Sequence, residues 1–173
     1  MNRLARRSIS AGAELITAIL LFLLHYTDIL NISVFGARPM LLLPFLAALS
    51  MYRDELHSAV VGCLVGIFAD SIASGTSCFN TIIFFLLCFL TALATHYLLN
   101  NNLKSAVMIA LIWSVVYYFL RWLFFFAFTG TGNSIEYLMQ YAIPSVIYTS
   151  VFIFPLYYWQ RFIFKFRTKG DVK

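Results

Sequence analysis

Ionisable side chains inside apolar runs are the residues of this chain that could do chemistry. Each is costly in hydrocarbon and persists only with a partner or a task. Asp70 and Arg121 lie deepest in such runs. Counting along a helix from the cytoplasmic ends near Ser58 and Ser105, Asp70 lies roughly 18 Å and Arg121 roughly 24 Å into the membrane. Both then fall in the outer half, where a long arginine side chain can bridge the offset. One reading is an intramembrane ion pair of Asp70 with Arg121. The other has Arg121 snorkelling to the outer headgroups while Asp70 caps a helix end in the outer turn. Glu14, His25, Asp28 and His96 sit closer to helix ends and read as interfacial polar residues.

Catalysis finds little support in these groups. Two histidines at opposite ends of different helices do not share a metal ion easily, and Asp70 is the only aspartate well inside a helix. No HExxH helix, GxSxG elbow or Walker loop occurs. Cys63, Cys78 and Cys88 are odd in number, without CxxC spacing; Cys63 and Cys88 fall in apolar runs and read as small hydrophobes. No catalytic residue, metal site or cofactor is therefore expected. The third apolar segment carries a different pattern. Gly62, Gly66 and Asp70 recur every four residues and share one helix face, with Ser58 and Cys63 beside it. Small residues at that spacing let another helix backbone come close, either in ordinary packing within the chain or against a partner.

The elements that must position these residues follow from composition. Of 173 residues, 62% are apolar and 11% charged, which a soluble fold of this length could not bury. The apolar runs are continuous, as in Leu41–Leu49 and Ile82–Leu90, and this excludes the alternation of a membrane β-barrel. The expected fold is all-α: one membrane domain, residues 1–173, a polytopic bundle of about six transmembrane helices. The spans are predicted at about 9–29, 40–52, 56–72, 81–99, 105–128 and 138–162. The first begins after Arg3, Arg6 and Arg7 and is too long for a signal-peptide core, so it reads as a retained helix. The second is short and carries Pro44 near its middle. Pro144 and Pro155 mark bends in the last.

Charge sets the orientation. With a cytoplasmic start, the inner segments hold Arg3, Arg6, Arg7, Arg53, Lys104, Arg161, Lys165, Arg167, Lys169 and Lys173, and the outer segments hold only Arg38. Ten basic residues against one satisfy the positive-inside rule with both termini in the cytoplasm. The net charge of +5 belongs to this asymmetry, and basic residues at termini and turns meet lipid headgroups rather than nucleic acid.

The stretch from Gly36 to Leu99 resembles the MreD family, the rod shape-determining membrane proteins of bacteria. The resemblance rests on Gly36-Ala-Arg-Pro-Met-Leu-Leu-Leu-Pro, the charged turn after it, Gly62-xxx-Gly66-xxx-Asp70, Ser74-Gly, and Phe79-Asn80 opening the next helix. Tyr141-Ala-Ile-Pro-Ser-Val-Ile-Tyr-Thr resembles the final helix of that family. The resemblance implies a non-enzymatic component of the cell-elongation (rod) complex in the cytoplasmic (inner) membrane. It would work beside an MreC-like single-pass protein and, through it, MreB and the peptidoglycan polymerase and transpeptidase. It also implies a fold similar to the S components of energy-coupling-factor transporters, which hold a vitamin in an outer-half cavity. Asp70, Asn80, Arg121 and Trp122 are the residues that could serve that alternative. On the scaffold reading, the partner or packing face is Gly62, Gly66 and Asp70, and Gly36, Pro39 and Asn80 support its outer end.

Overall fold

The computed structural model describes residues 3–26, 40–72, 78–99, 101–127 and 143–168, and every regular element among them is helical. In chain order these are α1 (Arg3–Tyr26), α2 (Leu42–Ser50), α3 (Glu55–Ile72), α4 (Phe79–Tyr97), α5 (Leu103–Trp122), α6 (Ile143–Val151) and α7 (Ile153–Thr168). A π-helical turn, Leu123–Ala127, extends α5. Three stretches are long and apolar enough to cross a membrane, Glu55–Ile72, Phe79–Tyr97 and Leu103–Phe125, and α1 contains a shorter apolar one, Ile9–His25. The protein is an all-α bundle of membrane type.

The centre of that bundle is its shortest apolar segment. All nine residues of α2 are buried, and α2 touches α1, α3, α4, α5, α6 and α7. A helix apolar on every side and surrounded by protein is a core element. At about 1.5 Å per residue, α2 alone is too short for a hydrocarbon layer about 30 Å thick. The segment expected to cross over 40–52 holds a short helix at the centre of the bundle, and its unbroken apolarity reflects contact with other helices. Pro44 falls in the first turn of α2, where its missing amide would have no intrahelical acceptor anyway, so no mid-segment kink results. The amide of Met40, just before α2, donates instead to Thr149 Oγ1 of α6 at 3.2 Å.

Proline does divide the end of the chain. The expected span over 138–162 is described from Ile143 onward and breaks at Phe152, three residues before Pro155. Pro155 cannot donate to the carbonyl of Val151, and its ring crowds that oxygen, which ends α6 there. The amide of Phe152 turns back to the Thr149 carbonyl at 3.2 Å.

α3 and α4 form the most extensive helix pair. α3 turns Ala59, Gly62, Val65, Gly66 and Ala69 inward and leaves Val60, Leu64, Ile67 and Phe68 about half or more exposed. α4 buries Asn80, Ile83, Phe84, Leu87 and Cys88 and exposes Ile82, Phe85, Leu86 and Leu90. Such a run of large exposed apolar side chains would aggregate in water and is at home in lipid. The inward faces meet without spacers. A methyl group on Gly62 would lie 2.5 Å from the Phe84 carbonyl oxygen and 2.7 Å from Cys88 Sγ, and one on Gly66 would fall on Thr81 Cα and 2.8 Å from its amide nitrogen. The backbone of α4 cannot yield there without separating the pair. Gly66→Ala is therefore expected to destabilise the bundle by about 1–3 kcal/mol. Gly12 of α1 has open space around it, and Gly12→Ala should be neutral or stabilising by about 0.5–1 kcal/mol. Thermal unfolding of both variants in detergent checks the contrast; equal midpoints would exclude tight packing at Gly66.

Candidate functional site

α4 begins without a cap of its own. Its N-cap residue, Cys78, stands at φ 58°, in the left-handed region that non-glycine side chains seldom adopt, and makes no side-chain cap bond. The first amides of a helix need acceptors, and hydrocarbon offers no water to supply them. Asp70, in the last turn of α3, provides both of its oxygens. Oδ1 accepts from the Asn80 amide at 3.1 Å and from Asn80 Nδ2 at 2.9 Å. Oδ2 accepts from the Thr81 amide at 2.8 Å and from Thr81 Oγ1 at 2.6 Å. Asn80 and Thr81 are the second and third residues of α4, the positions an N-cap serves. The carboxylate is thus a cap delivered from the neighbouring helix, and its charge faces the positive end of the α4 dipole.

The cap extends to α5. Tyr117, almost fully buried, donates its hydroxyl to Asn80 Oδ1 at 2.8 Å. Phe79, the first residue of α4, packs on Tyr117, Phe124 and Phe125 with ring centroids 6.1, 5.9 and 5.3 Å away. The π-helical turn carries the last two rings to that position.

Of the residues named from sequence, the structure joins Asp70 to Asn80 and places Gly62 and Gly66 on the same packed face. α4 of the same chain covers that face, so Gly62 and Gly66 serve packing within the protein and are not available to a partner. Arg121 stands exposed in the last turn of α5. Gly36, Pro39 and Asp28 lie outside the described residues. The polar atoms of Asp70 and Asn80, proposed for a ligand cavity, are bonded to each other and to Thr81 and Tyr117.

A second polar cluster, at the opposite end of the bundle, was not read from sequence as a unit. Glu14 of α1 is buried and pairs with Arg53 of the α2–α3 turn. Arg53 Nε donates to Glu14 Oε1 at 3.0 Å, Nη2 donates to the same oxygen, and Nη2 reaches Ser10 Oγ at 3.3 Å. His57 Nε2 lies 3.8 Å from the other Glu14 oxygen, and His96 Nδ1 lies 3.4 Å from Glu55 Oε1, joining the end of α4 to the start of α3. Asn101 donates to the Met51 carbonyl at 2.7 Å and accepts at its own carbonyl from Tyr157 at 3.1 Å. His25 lies half-buried in the last turn of α1. Cys63 is half-buried, Cys78 exposed and Cys88 buried, and among the described residues no three His, Cys, Asp or Glu side chains converge as for a metal ion. Both clusters use their polar atoms to fasten one helix to the next.

Fold and clusters together define a membrane-type helical bundle whose buried polar groups hold helix ends in register. The family is shown by sequence: the model of "rod shape-determining protein MreD" matches residues 9–167, and the chain belongs to the MreD family. Its role is accordingly in rod shape determination. No curated protein and no solved structure matches the chain.

Loss of either fastening has a predicted size. Asp70→Ala should cost about 2 kcal/mol, because the first turn of α4 loses its acceptor, and Asp70→Asn, which keeps one acceptor, should cost less. Tyr117→Phe should cost about 1 kcal/mol. Arg53→Met strands the buried Glu14 carboxylate and should cost about 3 kcal/mol, most of it recovered in the double variant Glu14→Gln/Arg53→Met. Unfolding midpoints in detergent measure each; an additive double variant would rule out coupling between Glu14 and Arg53.

Proposed function

We propose that the protein is a non-enzymatic, multi-pass scaffold of the bacterial cytoplasmic (inner) membrane, with both termini in the cytoplasm. In this reading it serves cell elongation by docking the membrane helix of an MreC-like single-pass protein. Through that protein it connects to MreB and to the peptidoglycan polymerase and transpeptidase. The observation that carries the reading is the division of labour across α3 and α4. Ser58, Gly62, Gly66, Asn80 and Thr91 face inward, while Val60, Leu64, Ile67 and Phe68 of α3 and Ile82, Phe85, Leu86 and Leu90 of α4 face outward. Lipid tails are as apolar as these side chains, so a partner helix gains over lipid only by shape and close packing. A rigid, ridged surface meets that requirement, and the proposed docking face is this outward one rather than the glycine face beneath α4. Family membership supports the cellular role, and the ten-to-one charge asymmetry supports the orientation.

Site-specific photo-crosslinking tests the docking face. A photoreactive residue at Leu64, Phe68 or Leu86, in cells where this chain replaces the resident copy, is expected to give an adduct with the MreC-like protein from at least one position. A probe at buried Ala69 should give none. Cells that keep normal shape with no adduct from any outward position would overturn the docking proposal. In a Cys63→Ser/Cys78→Ser background, cysteines placed at Lys104 and Lys165 should react with impermeant thiol reagents only after the cells are opened, and labelling of either in intact cells would refute the orientation.

A further inference from the structure

A cleft of about 350 Å³ opens at the end of the bundle that carries the Glu14–Arg53 pair. The ends of α2 and α4, the α2–α3 turn, Asn101 and Phe164 of α7 form its walls. Its charges favour a cation. α2 and α4 both finish there, so the negative ends of two helix dipoles lie at the cleft. Arg53 is part of the lining, but its guanidinium is bonded to Glu14 and Ser10 and its side chain is only 8% exposed. His96 is turned to Glu55. Asp54 remains exposed on the lining, and no hydrogen bond or ion pair among the described residues engages its carboxylate. Asn101 donates through Nδ2 to the Met51 carbonyl, which leaves its Oδ1 to accept. Tyr52 and Phe164, with ring centroids 5.3 Å apart, add aromatic surface on which a cation settles well.

We propose that this cleft takes an arginine or lysine side chain from the cytoplasmic flank of a partner's membrane helix, a reading that rests on the orientation and docking proposed above. The positive-inside rule makes that flank basic in a single-pass protein. Elsewhere at this end such a flank meets its own charge, because Lys104 and Arg161 are exposed. The Asp54 carboxylate reverses that balance locally. A free amine would meet the same groups, but one exposed carboxylate holds little in water. A side chain tethered to a docked helix acts instead at an effective concentration of about millimolar. The contact then fixes how deep the partner helix sits, the coordinate that the apolar outward faces of α3 and α4 define least.

The test places a photoreactive residue at Thr95, on the cleft lining, in cells where this chain replaces the resident copy. It is expected to capture the same single-pass protein as the outward positions of α3 and α4. Asp54→Asn should lower that yield about fivefold, Asp54→Lys should abolish it, and Asp54→Glu should keep it. All three should keep the parent's unfolding midpoint in detergent, since Asp54 is exposed. In the Asp54→Lys background, exchange of the partner's basic flank residues for glutamate should restore the adduct, a recovery that a merely misfolded variant would not show. Outward adducts without one from Thr95 would overturn the cleft proposal and leave docking standing. An adduct with the MreC-like protein from Thr95 and none from the outward positions would support the cleft and overturn the docking face. A Thr95 adduct indifferent to Asp54→Lys, or one with lipid alone, would overturn the cleft proposal. No adduct from any position in cells of normal shape would overturn both.

Discussion

The close approach of α3 and α4 is the constraint on which the rest of the structure depends. Gly62 and Gly66 remove the two Cβ atoms that would hold the backbones apart, and α4 sits where those atoms would be. Only at that separation does a carboxylate in the last turn of α3 reach the first turn of α4. Asp70 accepts four hydrogen bonds there, and each answers a donor that a lipid environment could not satisfy. Asn80 then turns its remaining oxygen to Tyr117, and the arrangement continues into α5. Packing and polar satisfaction are one device here: without the glycines the cap is out of reach, and without the cap the start of α4 has unpaired amides.

The opposite end follows the same logic by different means. α1 presents Ser10 and Glu14 to the bundle, and Arg53 from the α2–α3 turn occupies both. A buried pair of this kind adds little net stability compared with apolar residues of the same size, but losing one member is severe. Its effect is therefore on register: it fixes the depth of α1 against α2, which has no exposed face of its own. With α2 in contact with six other helices, an error in its position would pass to all of them.

Much of this was legible in the residues. Continuous apolar runs gave an all-helical membrane-type bundle, and the four-residue spacing of Gly62, Gly66 and Asp70 put them on one face before any contact was known. Periodicity names a face and not the occupant of it, so the spacing favours packing within the chain but leaves docking of a partner open. Asp70 showed the same limit. Its depth allowed either a pair with Arg121 or a helix cap, and the cap could be seen only once α4 was known to begin two residues earlier than the apolar run indicates. Apolarity at 40–52 read as lipid contact because burial in protein and burial in lipid select the same side chains. The Glu14–Arg53 pair had a signal that could have been used: an acid in the first half of the first apolar helix, and a single basic residue in the turn between the second and third.

What is left on the outside decides how such a protein can be recognised. With Asp70, Asn80, Glu14 and Arg53 engaged internally, the outward faces of α3 and α4 carry almost no polar information. A partner helix docked there, as proposed, would discriminate by the relief of side chains such as Leu64, Phe68, Phe85 and Leu86, and relief persists only while the helices beneath it stay in register. The buried polar clusters matter to recognition for that reason, although neither is exposed to a partner. On the docking proposal, variants at Gly66 or Asp70 should therefore disturb docking by loosening the surface from beneath. Variants at Phe68 or Phe85 should disturb it directly and leave the fold intact, and stability measured beside binding separates the two routes.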